Sequence, residues 1–255
     1  MEYEGTRFAG WAAQPGLRTV EGELGAALER ILGGPPVIRV AGRTDAGVHA
    51  TGQVVSVLTA SDREPTRILR ALRGLLPADL AVRSVTEAPA GFDARADARS
   101  RAYEYRVLAG PPSPLRRRFV LLHPPPLDLE ALAAAAAAVR GTHDFRAFTP
   151  TQTEHVFFDR TVLAAAWGRR GDELVFAIEA DAFLRHMVRV LVGSMLLVGR
   201  GHWALERFTR LLAGAPRTQA GPTAPAHGLT LVAVRYAATS GSPSPGPAAA
   251  PGTAR

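Results

Sequence analysis

The chain has 255 residues, 47% of them apolar and 21% charged, the balance of an ordinary soluble globular protein with room for one large or two small domains. It has no cysteine, which excludes disulfide scaffolds, thiolate metal sites and cysteine nucleophiles. The net charge is +7 with all 30 basic residues arginine, an excess that suits a polyanionic partner, and no apolar run is long enough to span a bilayer.

In chain order, Tyr3-Glu4-Gly5 reads as the end of a strand entering a glycine turn. Thr19 then caps a helix over 20–32, in which Leu24, Ala27, Leu28 and Ile31 fall on one face and Gly33 to Pro36 form the stop. Two β-forming runs, 37–40 and 54–58, flank the loop Ala41 to Gln53. A second helix is predicted over 65–76, a strand over 80–85, an arginine-rich crossing over 92–100 and a strand over 101–108. Tyr103, Tyr105 and Val107 share one face of that last strand, since side chains alternate along a strand.

The Pro-rich segment Ala109 to Pro114 is the best linker candidate. Beyond it come Arg116-Arg117-Arg118, a short strand and an alanine-rich helix over 129–140 closed by Gly141. Strands over 160–167 and 173–180 bracket a turn at Gly168 to Asp172. The segment 183–198 is apolar nearly all round and reads as a buried helix; a shorter helix over 203–212 and a strand over 229–236 follow. From 237 onward the chain is Ser, Gly, Pro and Ala, the composition of a disordered tail. The expected fold is α+β: two ferredoxin-like (βαββαβ) halves, 1–108 and 109–236, sharing one mixed, mostly antiparallel sheet with helices on its outer side.

Few residues offer chemistry. The seven histidines form no HxxxH or HxH pair, so nothing marks a metal site, and no glycine-rich phosphate-binding motif occurs. The loop at Asp45 has two readings. Asp45-Ala46-Gly47 is good turn chemistry, yet the loop also sets a carboxylate beside Arg43, and loops between strands commonly carry catalysis. Arg185 and Arg189 lie four apart on the apolar helix, either facing solvent or turned in to pair with a carboxylate such as Asp45. Tyr103 and Tyr105 are core residues, or one of them is left open to stack on a flat ligand. Arginines interleaved with these tyrosines point to nucleic acid.

AGRTDAGVHATGQV resembles the active-site motif of the bacterial tRNA pseudouridine synthase A family. YEGTRFAGW, TVEGELGAAL, FDARADARSRAYEYRV, GTHDF, DAFLRHMVRVLVGSMLLVG and HGLTLVAVRY resemble further family segments in the family's order. The resemblance implies two ferredoxin-like halves, a homodimer, and isomerisation of uridine to pseudouridine at positions 38 to 40 of the tRNA anticodon stem-loop, by base flipping and without metal or cofactor. It implies Asp45 as nucleophile, Tyr103 stacked on the target base, Arg189 paired with Asp45, and Arg43 near the flipped nucleotide. Gly42 and Gly47 are then the residues that let the backbone present the carboxylate. The chain departs from the family at Glu4, Ala12 and Asp181, and it has fewer residues before the Tyr3-Glu4-Gly5 turn than the family, from either a late start or a shortened first strand. With no signal pattern at the N-terminus, a cytoplasmic protein is expected. Two alternatives stay open: a non-catalytic RNA-binding protein, and a hydrolase that uses Asp45 to activate water and remove a base.

Overall fold

The computed structural model of the protein describes residues 1–153 and 155–237. The tail expected over 237–255 lies, from 238 on, outside the described residues. The strands are β1 (Glu2–Tyr3), β2 (Val37–Val40), β3 (His49–Ala50), β4 (Val55–Leu58), β5 (Leu80–Ala81), β6 (Ala98–Leu108), β7 (Leu121–Leu122), β8 (Gly141–Asp144), β9 (Asp159–Arg170), β10 (Glu173–Ala180) and β11 (Leu229–Tyr236). The helices are α1 (Val20–Leu32), α2 (Pro65–Leu75), α3 (Leu129–Ala138), α4 (Met187–Gly199) and α5 (Leu205–Thr209).

The main sheet runs β5-β1-β3-β11-β6-β10-β9-β8, with β7 continuing the β11 edge of β6. Strands β11, β6, β10 and β9 are antiparallel and stand in the order fourth, first, third, second, the arrangement of a ferredoxin-like unit. Strands β5, β1 and β3 repeat the fourth-first-third part of that order, also antiparallel. The two sets meet where β3 lies parallel to β11. The fold is therefore α+β on a mixed, mostly antiparallel sheet. Strand order groups β6 with the elements after it, so the second unit begins ahead of the Pro-rich segment at 109–114.

Four differences from the sequence reading have physical causes. Among the described residues β2 and β4 pair with each other alone, in a separate two-stranded sheet, so the expectation of a single shared sheet fails for them. The strand expected over 80–85 stops at Ala81 because its partner β1 is two residues long. Strand β8 was missed because its sequence, GTHD, has no apolar alternation to betray it. Strands β9 and β10 run on to a two-residue turn at Gly171-Asp172, where Gly171 has φ 62, so the arginines assigned to a longer turn are strand residues.

Helix α1 forms as its sequence dictates. The Thr19 hydroxyl accepts from the Gly22 amide, Glu21 and Glu23 sit in the positive first turn, and Gly33 ends the helix at φ 80. Helix α1 packs on α2, and α3 packs on α4 and β9. One continuous core gathers their apolar faces. Across the sheet junction, Tyr3, Ala50, Leu231, Tyr103 and Ile178 form a row of paired, buried positions on one face. Met195 of α4 covers the same face, accepting a hydrogen bond from Trp167 Nε1. The opposite face carries cross-strand ion pairs, Arg170 with Glu104, Arg106 with Glu173 and Arg235 with Glu179.

Candidate active site

The Asp45 loop leaves the two-stranded sheet at Val40, turns, and enters the main sheet as β3. Asp45 opens a turn closed by the Val48 amide donating to the Asp45 carbonyl at 3.1 Å, with Gly47 third in the turn at φ 80. That torsion favours glycine, and a Cβ there would also press on Ala226 at 3.2 Å. Gly42 does not share this need: its φ is ordinary, and an added Cβ would stand 3.6 Å from the Tyr103 hydroxyl. Because backbone atoms close the turn, the Asp45 side chain is spare.

Neighbours clamp the loop from below. The Trp11 amide donates to the Thr44 carbonyl at 3.0 Å. Tyr3 and Thr44 share a hydroxyl–hydroxyl bond of 2.8 Å, and Gln53 Nε2 donates to the Gly42 carbonyl at 2.8 Å. Burial pushes the Tyr3 phenol up to about 12, so it works as a neutral hydrogen-bonding group. His49 Nδ1 accepts from the Gly5 amide, which leaves Nε2 to carry the proton and donate to the Arg118 carbonyl at 2.8 Å. Burial lowers the pKa of this imidazole, in keeping with its neutral, structural use.

Arg101 holds the cleft's other walls. Its Nε and Nη2 donate to the Ala41 carbonyl, Nη1 to those of Ala98 and Asp181, and Nη2 also to that of Arg95, at 2.7 to 3.0 Å. All five N–H groups of the guanidinium are thereby used on backbone oxygens. Among the described residues Arg101 makes no ion pair. A buried cation thus ties together the Asp45 loop, the approach to β6 and the segment before α4.

Those walls enclose a cleft of about 1300 Å³. Among the described residues Arg39, Arg43, Arg95, Arg101, Arg185 and Arg189 line it against Asp45 and Asp93, a strongly cationic surface. Inside it Arg189 Nη1 meets Asp45 Oδ2 at 2.9 Å, across 144 residues of sequence. Arg189 is aimed by the Ala224 carbonyl, which accepts from its Nε at 2.8 Å, while the Ala224 amide donates to the Arg189 carbonyl. The two side chains are 16% and 25% exposed, so the pair is shielded yet open to a ligand.

Tyr103 stands in the cleft wall, with its ring 5.0 Å from and perpendicular to that of Phe183. It is 8% exposed, and burial, with Tyr3 and Asp45 nearby, raises its phenol above the usual tyrosine range. Its hydroxyl makes no hydrogen bond among the described residues. Tyr105, by contrast, is a core residue whose hydroxyl donates to the Pro225 carbonyl at 2.8 Å. Arg43 is exposed at the rim and pairs with no carboxylate among the described residues.

The structure thus brings Asp45, Arg189 and Tyr103 to one cleft, with Arg43 at its edge. It does not put Arg185 on the helix. The helix expected from 183 begins at Met187, because His186 takes φ 63, which a right-handed helix cannot accommodate. Arg185 lies before it and donates to the Gln152 carbonyl. Sequence reasoning missed three cleft residues: Phe183, placed in the buried helix; Arg101, one of the arginines interleaved with the tyrosines; and His186. Its signal was its place three residues before Arg189, and its Nε2 lies 3.5 Å from Asp45 Oδ2.

A family model described as tRNA pseudouridine synthase matches residues 1–96 and 135–237. The tRNA pseudouridine synthase A of Chloroflexus aurantiacus is 46% identical over 247 residues, covering 92% of this chain and 87% of that one. The protein of the same name from Frankia casuarinae is 46% identical over 240 residues, with 92% and 87% covered. That from Halalkalibacterium halodurans is 42% identical over 231 residues, with 90% and 88% covered. On these matches, the chain belongs to the tRNA pseudouridine synthase A family of isomerases.

Proposed function

We propose that this protein isomerises uridine to pseudouridine in the anticodon stem-loop of tRNA, at positions 38 to 40, by flipping the base into the cleft and using Asp45 as nucleophile. The observation that supports this most is the Asp45–Arg189 contact of 2.9 Å inside a cationic cleft, with Tyr103 in its wall. Unstacking a base costs a few kcal/mol, which contacts within the cleft must offset. The C1′–N1 bond of uridine breaks, the uracil turns while it stays bound, and a C1′–C5 bond forms. C5 loses its proton and N1 gains one, so mass is unchanged. Asp45 attacks either the sugar or the pyrimidine ring; both routes need a fixed carboxylate, and the arginine fixes it.

Tyr103 packs on the uracil in this reading. Its hydroxyl, held protonated by burial, donates a hydrogen bond to the base. Arg43, Arg39 and Arg95 take phosphates and set the position of the stem-loop. The same reading takes a homodimer at work in the cytoplasm, and light scattering on the purified protein tests the dimer. The deciding experiment is incubation with unmodified tRNA followed by nucleoside analysis. Pseudouridine at constant mass is expected with the native chain and none with Asp45→Asn, which should fold and still bind tRNA. Free uracil would mark a hydrolase instead, and unchanged tRNA a binding protein.

A further inference from the structure

His186 breaks two local rules at once. Among the described residues it is the only non-glycine with positive φ, at 63. It also holds the N-cap position of α4, where Ser, Thr, Asp or Asn would accept from a helix amide, and its ring makes no such bond. Residues kept against local preference cluster where surrounding contacts give them work. Here the ring turns into the cleft and sets Nε2 3.5 Å from Asp45 Oδ2. That is beyond a direct hydrogen bond, but within reach of one after a small movement.

Arg189 lies three residues on, one turn along the same side of the chain, and takes the same oxygen. Both groups therefore converge on Oδ2, while no described residue hydrogen-bonds Oδ1. We propose that His186 is a positioning residue for Asp45, holding Oδ2 together with Arg189 so that Oδ1 is the oxygen that meets the flipped uridine. This rests on the assignment of Asp45 as nucleophile.

The groups around the ring define the state in which it works. Burial lowers its pKa most, Asp45 raises it, and Arg189, Arg185 and Arg217 lower it further. The ring is thus neutral at neutral pH and gains its proton only as pH falls below the ordinary histidine value of 6.5. A neutral ring orients the carboxylate without cancelling its charge. A protonated ring would add a second cation beside Arg189 and weaken the nucleophile.

The test is single-turnover isomerisation of an unmodified anticodon stem-loop RNA from pH 5 to 8, with RNA affinity measured alongside. His186→Ala should slow turnover by about 10- to 100-fold, as expected when a reacting group is displaced by about 1 Å, with RNA affinity kept within about twofold. His186→Asn, which tolerates the left-handed backbone and keeps an N–H donor, should recover part of the rate. It should also lack the acid limb expected of the native protein below pH 6.5. Native rate and native pH profile in both variants, with Asp45→Asn inert, would overturn the role of His186 and leave that of Asp45 standing. Turnover by Asp45→Asn would overturn the reading beneath it. Equal loss of rate and affinity would make His186 a binding residue and refute the proposal.

Discussion

Arg101 carries a full positive charge to a place where, among the described residues, it makes no ion pair, and four backbone carbonyls of three segments depend on it. Arg101→Lys preserves the charge but offers three N–H donors in place of five. At least two donated bonds go, and the carbonyls that lose them are partly buried. The expected cost is about 1–3 kcal/mol, read as a lower urea midpoint, with a larger fall in turnover because the Asp45 loop loses its doubly held carbonyl. Tyr103 poses a different question, since its hydroxyl has no hydrogen bond among the described residues while the ring is packed. Tyr103→Phe should bind tRNA as the native protein does and isomerise more slowly, in a paired binding and turnover assay. Native turnover would assign this residue to packing alone.

At the scale of elements, the candidate site depends on how α4 is strapped. Segment 221–224 runs along α4, bonded through Ser194 to Gly221 and through Arg189 to Ala224. A Cβ on Gly193 would sit 1.9 Å from the Pro222 carbonyl oxygen, so helix and strap would have to part. Gly193→Ala should therefore cost about 1–3 kcal/mol, as overpacking does, and reduce turnover by displacing Arg189; denaturation and activity measured together test both. The start of α1 is tied differently, since Arg18 beside it forms a bidentate pair with Asp79 at 2.7 and 2.8 Å. Hydrogen bonds from Arg18 are the main reason the Asp79 carboxyl lies below its ordinary 3.8. A lowered folded pKa stabilises above the unfolded value and ceases to do so as pH falls through the folded one. Asp79→Asn should lower the stability read from urea unfolding at pH 7 by up to about 1 kcal/mol and converge with the native protein as pH falls below that ordinary value.

At the scale of the molecule, the cationic cleft makes tRNA binding an electrostatic event. Among the described residues six arginines against two aspartates line it, so affinity should fall steeply with salt, by a log–log slope of roughly 0.7–0.9 per phosphate neutralised. A flat response in a filter-binding titration would remove the cleft as the RNA track. The cleft lies at the sheet junction, where β3 of one half runs beside β11 of the other. Each half brings what the other lacks: the first the Asp45 loop, the second Tyr103 and Arg189.

Much of this is legible in the sequence. Helix α1 could be read to the residue, because its apolar spacing, Thr19 cap and Gly33 stop are local and agree. So could β11; the apolar helix by itself left open whether Arg185 or Arg189 turns in, and the pairing of Arg189 with Asp45 came from the family resemblance. The sequence by itself determined the order of the helices and longer strands, the fold class, the cationic character and the chemical groups available, since periodicity, caps and charge are properties of short stretches. Only the tertiary structure decided that Asp45 shows its side chain to the cleft instead of spending it on its own turn. It alone revealed that Arg101 is an anchor, that α4 starts four residues late, and that His186 faces the carboxylate. These depend on backbone torsions and contacts between segments more than a hundred residues apart, or on carbonyls whose direction no side-chain pattern encodes.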